Sequence, residues 1–315
     1  MDWPDALSNV SAEERIGVEE VPKISLVMPS YNQARFLETA IWSVVQQDYP
    51  RLEFVVRDGG STDGSVEIIK EYEDQITEWS SKPDGGQAAV INEEWDRASG
   101  ELLGWLNSDD VLAPGGLHAI GRAAKEHPEA VLFFGDCMII DEDGNRDHVV
   151  RKEGFDRETL LKGKSFAQPS VFMRKSVLDE VGLLDDSLTY ALDWSYFLKV
   201  LWTYPESRIK HVPSIISCSR EYEGTKSRTG LVDEGEERRE KIQEYLDEGI
   251  LPYEERVKRR GLAGTYWKQG TNQFLAGRYA DAFRSAIQAT KVDAGSLLEK
   301  LPRLFWIFRK RFKRL

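Results

Sequence analysis

Apolar residues in the first third of the chain come in short blocks that end abruptly in polar, turn-forming clusters. Lys23 to Met28 reads as a first strand ended by Pro29, and Leu52 to Val56 as a second ending at Asp58-Gly59-Gly60. Ile76 to Trp79 predicts a short third strand. Leu102 to Leu106 predicts a buried central strand that stops at Asn107-Ser108-Asp109-Asp110. Gln33 to Gln47 has apolar residues at helical spacing, and Gln87 to Ala98 reads as a further helix. Ser61-Thr62-Asp63 supplies capping residues for a helix through Tyr72. Strand and helix thus alternate at short intervals, which predicts an α/β domain: a mixed, mostly parallel sheet with helices on both faces.

The pattern then changes. Pro114 to His127 reads as a helix, and Val131 to Ile140 and His148 to Arg151 flank a hairpin turn at Asp143-Gly144-Asn145. Ser170 to Met173 predicts a strand, Ser176 to Val181 and Asp193 to Trp202 predict helices, and Arg208 to Ser219 a last strand broken by Pro213. This is the signature of an antiparallel addition to a parallel half. Leu231 to Arg260 is highly charged and helical, with a break at Gly249 to Pro252. Gly261 to Asp293 has a helix-turn-helix rhythm in which Gly270, Gly277, Tyr279, Ala282 and Ala286 resemble one tetratricopeptide repeat, a plain helical hairpin being the alternative. The expected organisation is a leader over 1–21, an α/β domain over 22–230, a C-terminal helical extension over 231–300 and a basic-aromatic tail over 301–315.

Charge narrows the function classes. Among 315 residues the formal net charge is −12, which argues against a nucleic-acid partner, because phosphate binding needs a basic surface. The tail differs: from Arg303 every charged residue is basic, and Leu304, Phe305, Trp306, Ile307 and Phe308 are interleaved. That mixture suits an anionic membrane surface, with a frayed, solvated helix as the plainer alternative. The amino terminus, MDWPDALSNV, lacks an apolar core, so no signal peptide is expected. No apolar run approaches the ~20 residues that span a bilayer. A cytoplasmic protein is expected, held peripherally at the inner face of the membrane by its tail. Cys137 and Cys218 sit in apolar surroundings and read as buried thiols.

The candidate chemistry lies where the strands stop. Asp109 and Asp110 are either a solvated turn or hard oxygen ligands for Mg²⁺ or Mn²⁺. A cation held by one or two carboxylates takes its other ligands from phosphates and water, which points to a nucleotide diphosphate. Pro29-Ser30-Tyr31-Asn32 exposes Tyr31 for stacking on a base, or merely opens a helix. Asp58 is placed to accept from a base N–H, and Gly59 and Gly60 permit close backbone approach, a capped turn being the alternative. Asp84-Gly85-Gly86-Gln87 precedes a helix whose amino terminus would face an anion.

Four phrases then make a family resemblance specific: PSYNQARFLETAIWSVVQQDYP, DGGSTDGSVEII, KPDGGQAAVIN and GELLGWLNSDDVLAPGGL. With QPSVFMRKSVLDEVGLLDDSL and ALDWSYFLKV, residues 22–228 resemble a family 2 glycosyltransferase of the A-type, nucleotide-diphospho-sugar transferase fold. The resemblance implies inverting transfer of a sugar from a nucleotide diphosphate to a saccharide or lipid-linked acceptor, with a divalent cation. Carried onto this chain, Pro29, Tyr31 and Asn32 line the nucleoside pocket and Asp58 binds the base. Gln87 lies in the donor loop and Gln168 borders the acceptor. Asp109 matches the more constant metal carboxylate and Asp110 is secondary. Asn107 stands where the family most often has aspartate, which removes one anionic ligand.

Asp193 matches the general base at the start of a helix, although a helix cap is the plainer alternative. Leu192 and Ser195 occupy positions where the family often has a further acid, so Asp193 is the only candidate in that helix. The stretch REYEGTKS carries Tyr222 where the family often has a histidine near the metal, and a phenol is a poor ligand for such ions. Arg220 and Lys226 are then the candidate diphosphate contacts, with solvated loop charges as the alternative. A nucleotidyltransferase that makes the activated sugar, and a non-catalytic nucleotide-binding scaffold, are the alternatives. The chain lacks the glycine-rich basic loop of the first after its opening strand.

Overall fold

The four apolar blocks become four adjacent parallel strands. In a computed structural model describing residues 21–152, 154, 156–225, 233–252, 254–275 and 277–296, they are β1 (Ile24–Ser30), β2 (Leu52–Asp58), β3 (Glu78–Ser81) and β4 (Leu102–Trp105). The sheet continues through β5 (Val111–Leu112), β6 (Leu132–Ile140), β7 (Arg146–Val150), β8 (Val171–Arg174) and β9 (Ile209–Arg220). Their order is β3-β2-β1-β4-β8-β6-β9-β5, with β7 paired to β6. Strands β3, β2, β1 and β4 are mutually parallel, whereas β8 is antiparallel to both β4 and β6. The sheet is therefore mixed, as the change of pattern after residue 113 predicts.

Two proline effects differ from the sequence reading. β1 runs through Pro29, because the β1–β4 ladder has already ended at Val27 and Trp105 and the missing N–H falls at the sheet margin. β9 is not broken at Pro213. Val212 pairs with Gly135 and Ile215 with Asp136, so Pro213 and Ser214 form a bulge and the strand continues.

Alternation along β1 decides which helices cover which face. Ile24, Leu26 and Met28 join a buried cluster with Leu37, Ala40, Ile41 and Val44 of α1 (Ala34–Val45) and Leu117, Ile120 and Ala124 of α4 (Gly116–Glu126). The intervening Val27 shares the opposite side with Val55 of β2 and with Trp95 and Ala98, at the end of α3 (Gln87–Arg97). Full burial of such side chains contributes about 1.5–3 kcal/mol each. The helix after β2, α2 (Ser65–Glu71), takes left-handed Gly64 as its cap residue, not the expected Ser61, Thr62 or Asp63. Asp63 instead accepts from the backbone N–H groups of Ser65 and Ala34, linking the starts of α2 and α1. Helix α6 (Val177–Val181) follows β8. Cys137 and Cys218 are buried free thiols on neighbouring strands.

The chain divides into two compact units. The first takes Met1–Phe155, Phe166–Leu188 and Thr203–Thr225, and contains every described strand. The second takes Asp156–Ser165, Thr189–Trp202 and Lys226–Leu315. Its described helices are α5 (Arg157–Leu161), the first eleven residues of α7 (Leu192–Thr203), α8 (Asp233–Asp247), α9 (Glu255–Leu275) and α10 (Tyr279–Val292). This unit reaches back across the boundary expected at 230, and one cause is visible at α7. Glu237 of α8 accepts from the backbone N–H groups of Thr189, Tyr190 and Ala191, just before the helix starts. Helices α9 and α10 form the expected hairpin, turning at left-handed Gly277. A Cβ on Gly270 would lie 3.2 Å from both the Ala282 carbonyl and the Ser285 Cβ, so a small residue permits their approach. No described helix is long and apolar enough to cross a membrane.

Gly104 of β4 lies close against the neighbouring strand β8. A Cβ there would sit 2.6 Å from the buried Phe172 ring of β8. Gly104→Ala should lower the unfolding free energy by about 1–3 kcal/mol, the cost of overpacking a filled core. Urea denaturation checks this, and an unchanged midpoint would refute the close-packing account.

Candidate active site

The order of strands reverses at β1, which has β2 on one side and β4 on the other. Ligands of open α/β sheets bind outside the carboxyl ends of the strands at such a switch point. All four polar clusters of the parallel half, beginning at residues 29, 58, 84 and 107, therefore lie along one edge.

The loops after β1 and β2 hold each other. Asn32, in the left-handed region at φ 51°, accepts from Thr62 N–H through Oδ1 and donates its own N–H to Ser61 Oγ. That leaves Tyr31 63% exposed, beside Gly59: a Cβ on Gly59 would lie 3.3 Å from the Tyr31 ring and 3.2 Å from the Asp84 carboxylate. Asp58 is only 1% exposed. Its carboxylate accepts from Gly60 N–H at 3.0 Å, Ser61 N–H at 2.8 Å, the Ser61 hydroxyl and the Ser81 hydroxyl at 2.6 Å. In this structure Asp58 folds the loop that the sequence reading has it offer to a base. Pro29 is half-buried within β1.

At the end of β4 three amides form a chain. Gln87 Nε2 donates to Asn107 Oδ1 at 2.6 Å, Asn107 Nδ2 donates to Gln168 Oε1 at 3.3 Å, and Gln168 Nε2 donates to the Trp105 carbonyl at 2.8 Å. Thus Gln87, Asn107 and Gln168, from three separate phrases of the sequence, meet at one place.

The two adjacent aspartates have different surroundings. Asp109 is partly exposed and accepts from the Tyr222 hydroxyl at 3.2 Å. Asp110 is 4% exposed and accepts from the Arg220 N–H at 2.9 Å. Burial, reinforced by the neighbouring Asp109 charge, pushes the Asp110 carboxyl well above the usual carboxylate range. Asp110 therefore lies beneath the edge as an anchor for β9, and Asp109 is the carboxylate presented at it. Arg220 is likewise turned inward. Its guanidinium donates to the carbonyls of Asp109 and Asp141 at 3.0 Å each and lies 4.7 Å from the Phe36 ring centroid. Lys226 lies outside the described residues.

Asp193 belongs to the second unit, in the first turn of α7. It accepts from the Trp194 N–H at 2.7 Å and the Ser165 hydroxyl at 3.3 Å. Burial raises its pKa above the ordinary aspartate value, opposed chiefly by the Arg238 charge. Arg238 is fixed over the Trp194 ring, 4.7 Å from its centroid, and donates to Gly163 O and to Glu234.

No group of three or more His, Cys, Asp or Glu suited to a metal ion occurs among the described residues. One presented carboxylate with amide neighbours still fits a divalent cation shared with a diphosphate, since Mg²⁺-type ions are held by one or two carboxylates plus phosphate and water oxygens.

Solved structures share this architecture. The S. aureus TarS fragment 1–349 in complex with UDP-GlcNAc superposes with a TM-score of 0.64 at 21% identity, covering 86% of this chain and 83% of that one. The mannosyltransferase PcManGT of Pyrobaculum calidifontis, in complex with GDP-Man and Mn²⁺, gives 0.54 at 16% identity over 94% and 83%. The fold is the α/β fold of the A-type glycosyltransferases. The model of glycosyl transferase family 2 matches residues 25–182, and the chain belongs to that family.

Among curated relatives, an uncharacterized glycosyltransferase of Rickettsia typhi is 29% identical over 199 residues, covering 58% of this chain and 61% of that protein. The Campylobacter jejuni GalNAc(5)-diNAcBac-PP-undecaprenol beta-1,3-glucosyltransferase is 30% identical over 154 residues, covering 46% and 48%. The chain thus spans between about half and three-fifths of the length of these two relatives.

Gln33, Phe36, Ser61 and Ser81 surround the site, and the sequence reading gives none of them a role there. Gln33, Phe36 and Ser61 lie inside the quoted phrases, whereas Ser81 has no such signal. If Asp58 folds its loop, Asp58→Asn should cost the nucleotide-free protein about 1–3 kcal/mol of unfolding free energy, because an amide N–H₂ then faces donors. Chemical denaturation without nucleotide reads this, and a stability equal to wild type would overturn the loop-folding role.

Proposed function

We propose that the chain transfers a monosaccharide from a nucleotide diphosphate sugar, of the uridine type, to a hydroxyl of a glycan or lipid-linked saccharide, with inversion. The observation that carries this reading is the meeting of Gln87, Asn107, Gln168 and Asp109 at the carboxyl end of β4. The family and the nucleotide-sugar complexes of TarS and PcManGT support the donor class. The name of the Campylobacter relative supports a lipid-linked acceptor.

In this reading Tyr31 stacks on the base, with Pro29, Asn32 and Asp58 holding the loops around it. Gln87 and Asn107 orient the donor, Arg220 braces the loop behind the diphosphate, and Gln168 borders the acceptor. Asp109 holds a divalent cation, with Asp110 as its buried support; the bound ion supplies positive charge against the departing diphosphate. Asp193 takes the proton from the acceptor hydroxyl as that oxygen bonds to the anomeric carbon and the bond to the diphosphate oxygen breaks. One displacement from the opposite face inverts the anomeric centre. The tail, 301–315, lies outside the described residues; its basic and aromatic composition supports attachment to an anionic membrane surface.

Asp193→Asn should reduce turnover by about 10²-fold or more, the usual worth of a general base, while UDP binding persists. Because burial raises its pKa, the base form accumulates only above the ordinary aspartate value of about 3.9. The wild-type rate should therefore climb along an acid limb displaced above that value, and the limb should be missing from any residual activity of the variant. Turnover that survives the substitution with an unchanged pH profile would remove Asp193 from the mechanism.

A further inference from the structure

Two neutral side chains from distant parts of the sequence converge on Asp109. The Tyr222 hydroxyl, beyond β9, donates to Asp109 Oδ2 at 3.2 Å, and the same hydroxyl accepts from Gln33 Nε2, beyond β1, at 3.3 Å. Neither end of this relay is loose. The Tyr222 ring lies against Phe36 with centroids 4.8 Å apart. The Tyr222 carbonyl accepts from Thr225 N–H at 3.2 Å and the Thr225 hydroxyl at 3.0 Å, closing the turn. Gln33 is fixed through its own N–H to Ser65 Oγ at 3.3 Å, and the next residue through Ala34 N–H to Asp63 at 2.9 Å.

We propose that Gln33 and Tyr222 are positioning residues that orient the Asp109 carboxylate for a divalent cation. The inference rests on the reading of Asp109 given under Proposed function.

The chemistry of the pair suits this task. A lysine or arginine at 222 would hold the carboxylate but cancel the charge that attracts a cation. A phenol orients it and leaves it anionic. The hydroxyl bond occupies only one of the roughly four lone-pair sites of a carboxylate. A phenol ordinarily keeps its proton at neutral pH, so it donates to the carboxylate. Gln33 in turn fixes the hydroxyl's direction: by donating to the oxygen, it points the O–H toward Asp109. Outer partners of this kind typically change metal affinity by about 10–100-fold when removed.

The test measures Mn²⁺ binding to the full chain at saturating UDP, from the electron paramagnetic resonance signal of free Mn²⁺. Wild type, Tyr222→Phe, Gln33→Leu and the double variant are compared. Tyr222→Phe should raise the Mn²⁺ dissociation constant about tenfold or more, and Gln33→Leu should raise it in the same direction. The double variant should be no weaker than Tyr222→Phe, because Gln33 acts through the hydroxyl. UDP binding in chelator and the metal-free melting temperature should match wild type. Unchanged or tighter Mn²⁺ binding in Tyr222→Phe overturns the inference. So do additive losses in the double variant, or losses that track a lowered metal-free melting temperature. If wild type binds no Mn²⁺ even with UDP, the metal reading of Asp109 falls and this inference falls with it.

Discussion

The side-chain amide of Asn107 is the contact on which the β4 edge depends. Its oxygen accepts from Gln87 of α3, and its nitrogen lies 3.3 Å from the Gln168 carbonyl oxygen and 3.4 Å from the Asp110 carboxylate. An aspartate here could accept from Gln87 but could not donate to Gln168, and it would add a second charge beside the buried Asp110. Burial already holds the Asp110 carboxyl toward its neutral form. The departure from the family's usual aspartate therefore has a physical reason in this chain. The amide exchanges one potential metal ligand for a connection among three loops, and Asp109 is left as the presented carboxylate.

Much of this architecture was legible in the sequence. The short apolar blocks with polar stops gave β1, β2, β3 and β4 their places, because a buried strand must end where polar groups can again meet water. The helical spacing of Phe36, Leu37, Ala40, Ile41 and Val44 marked the buried face of α1. Proline alone does not end a strand here. Pro213 sits in a bulge between two register shifts of β9, a tertiary accommodation that local rules do not contain. The capping residues before α2 were likewise assigned to the nearest helix, whereas Asp63 also bonds the start of α1, across 29 residues of sequence.

The sequence marks the candidate residues but not how each one is held. Resemblance named Asp58, Asp109, Asp110 and Arg220, yet burial separates them into groups that face the edge and groups that hold it. Asp-Asp looks symmetric in sequence; in space one member bonds a tyrosine hydroxyl and the other the backbone of β9. Gln33 and Tyr222 are 189 residues apart, so no local pattern signals their contact. The same holds for Glu237, whose carboxylate satisfies the N–H groups before α7 from more than forty residues away. Long-range hydrogen bonds of this kind are set by the fold and leave no periodicity behind.

The central claim is that Asp109 gives this edge its cation-dependent affinity for a nucleotide diphosphate. The most direct test is calorimetric titration of UDP into wild type and Asp109→Ala, each with Mn²⁺ and with chelator. The account predicts that Mn²⁺ tightens UDP binding to wild type and that Asp109→Ala loses this increment while keeping the affinity measured in chelator. Equal UDP affinity for wild type with and without Mn²⁺, or an increment that survives in Asp109→Ala, would contradict it.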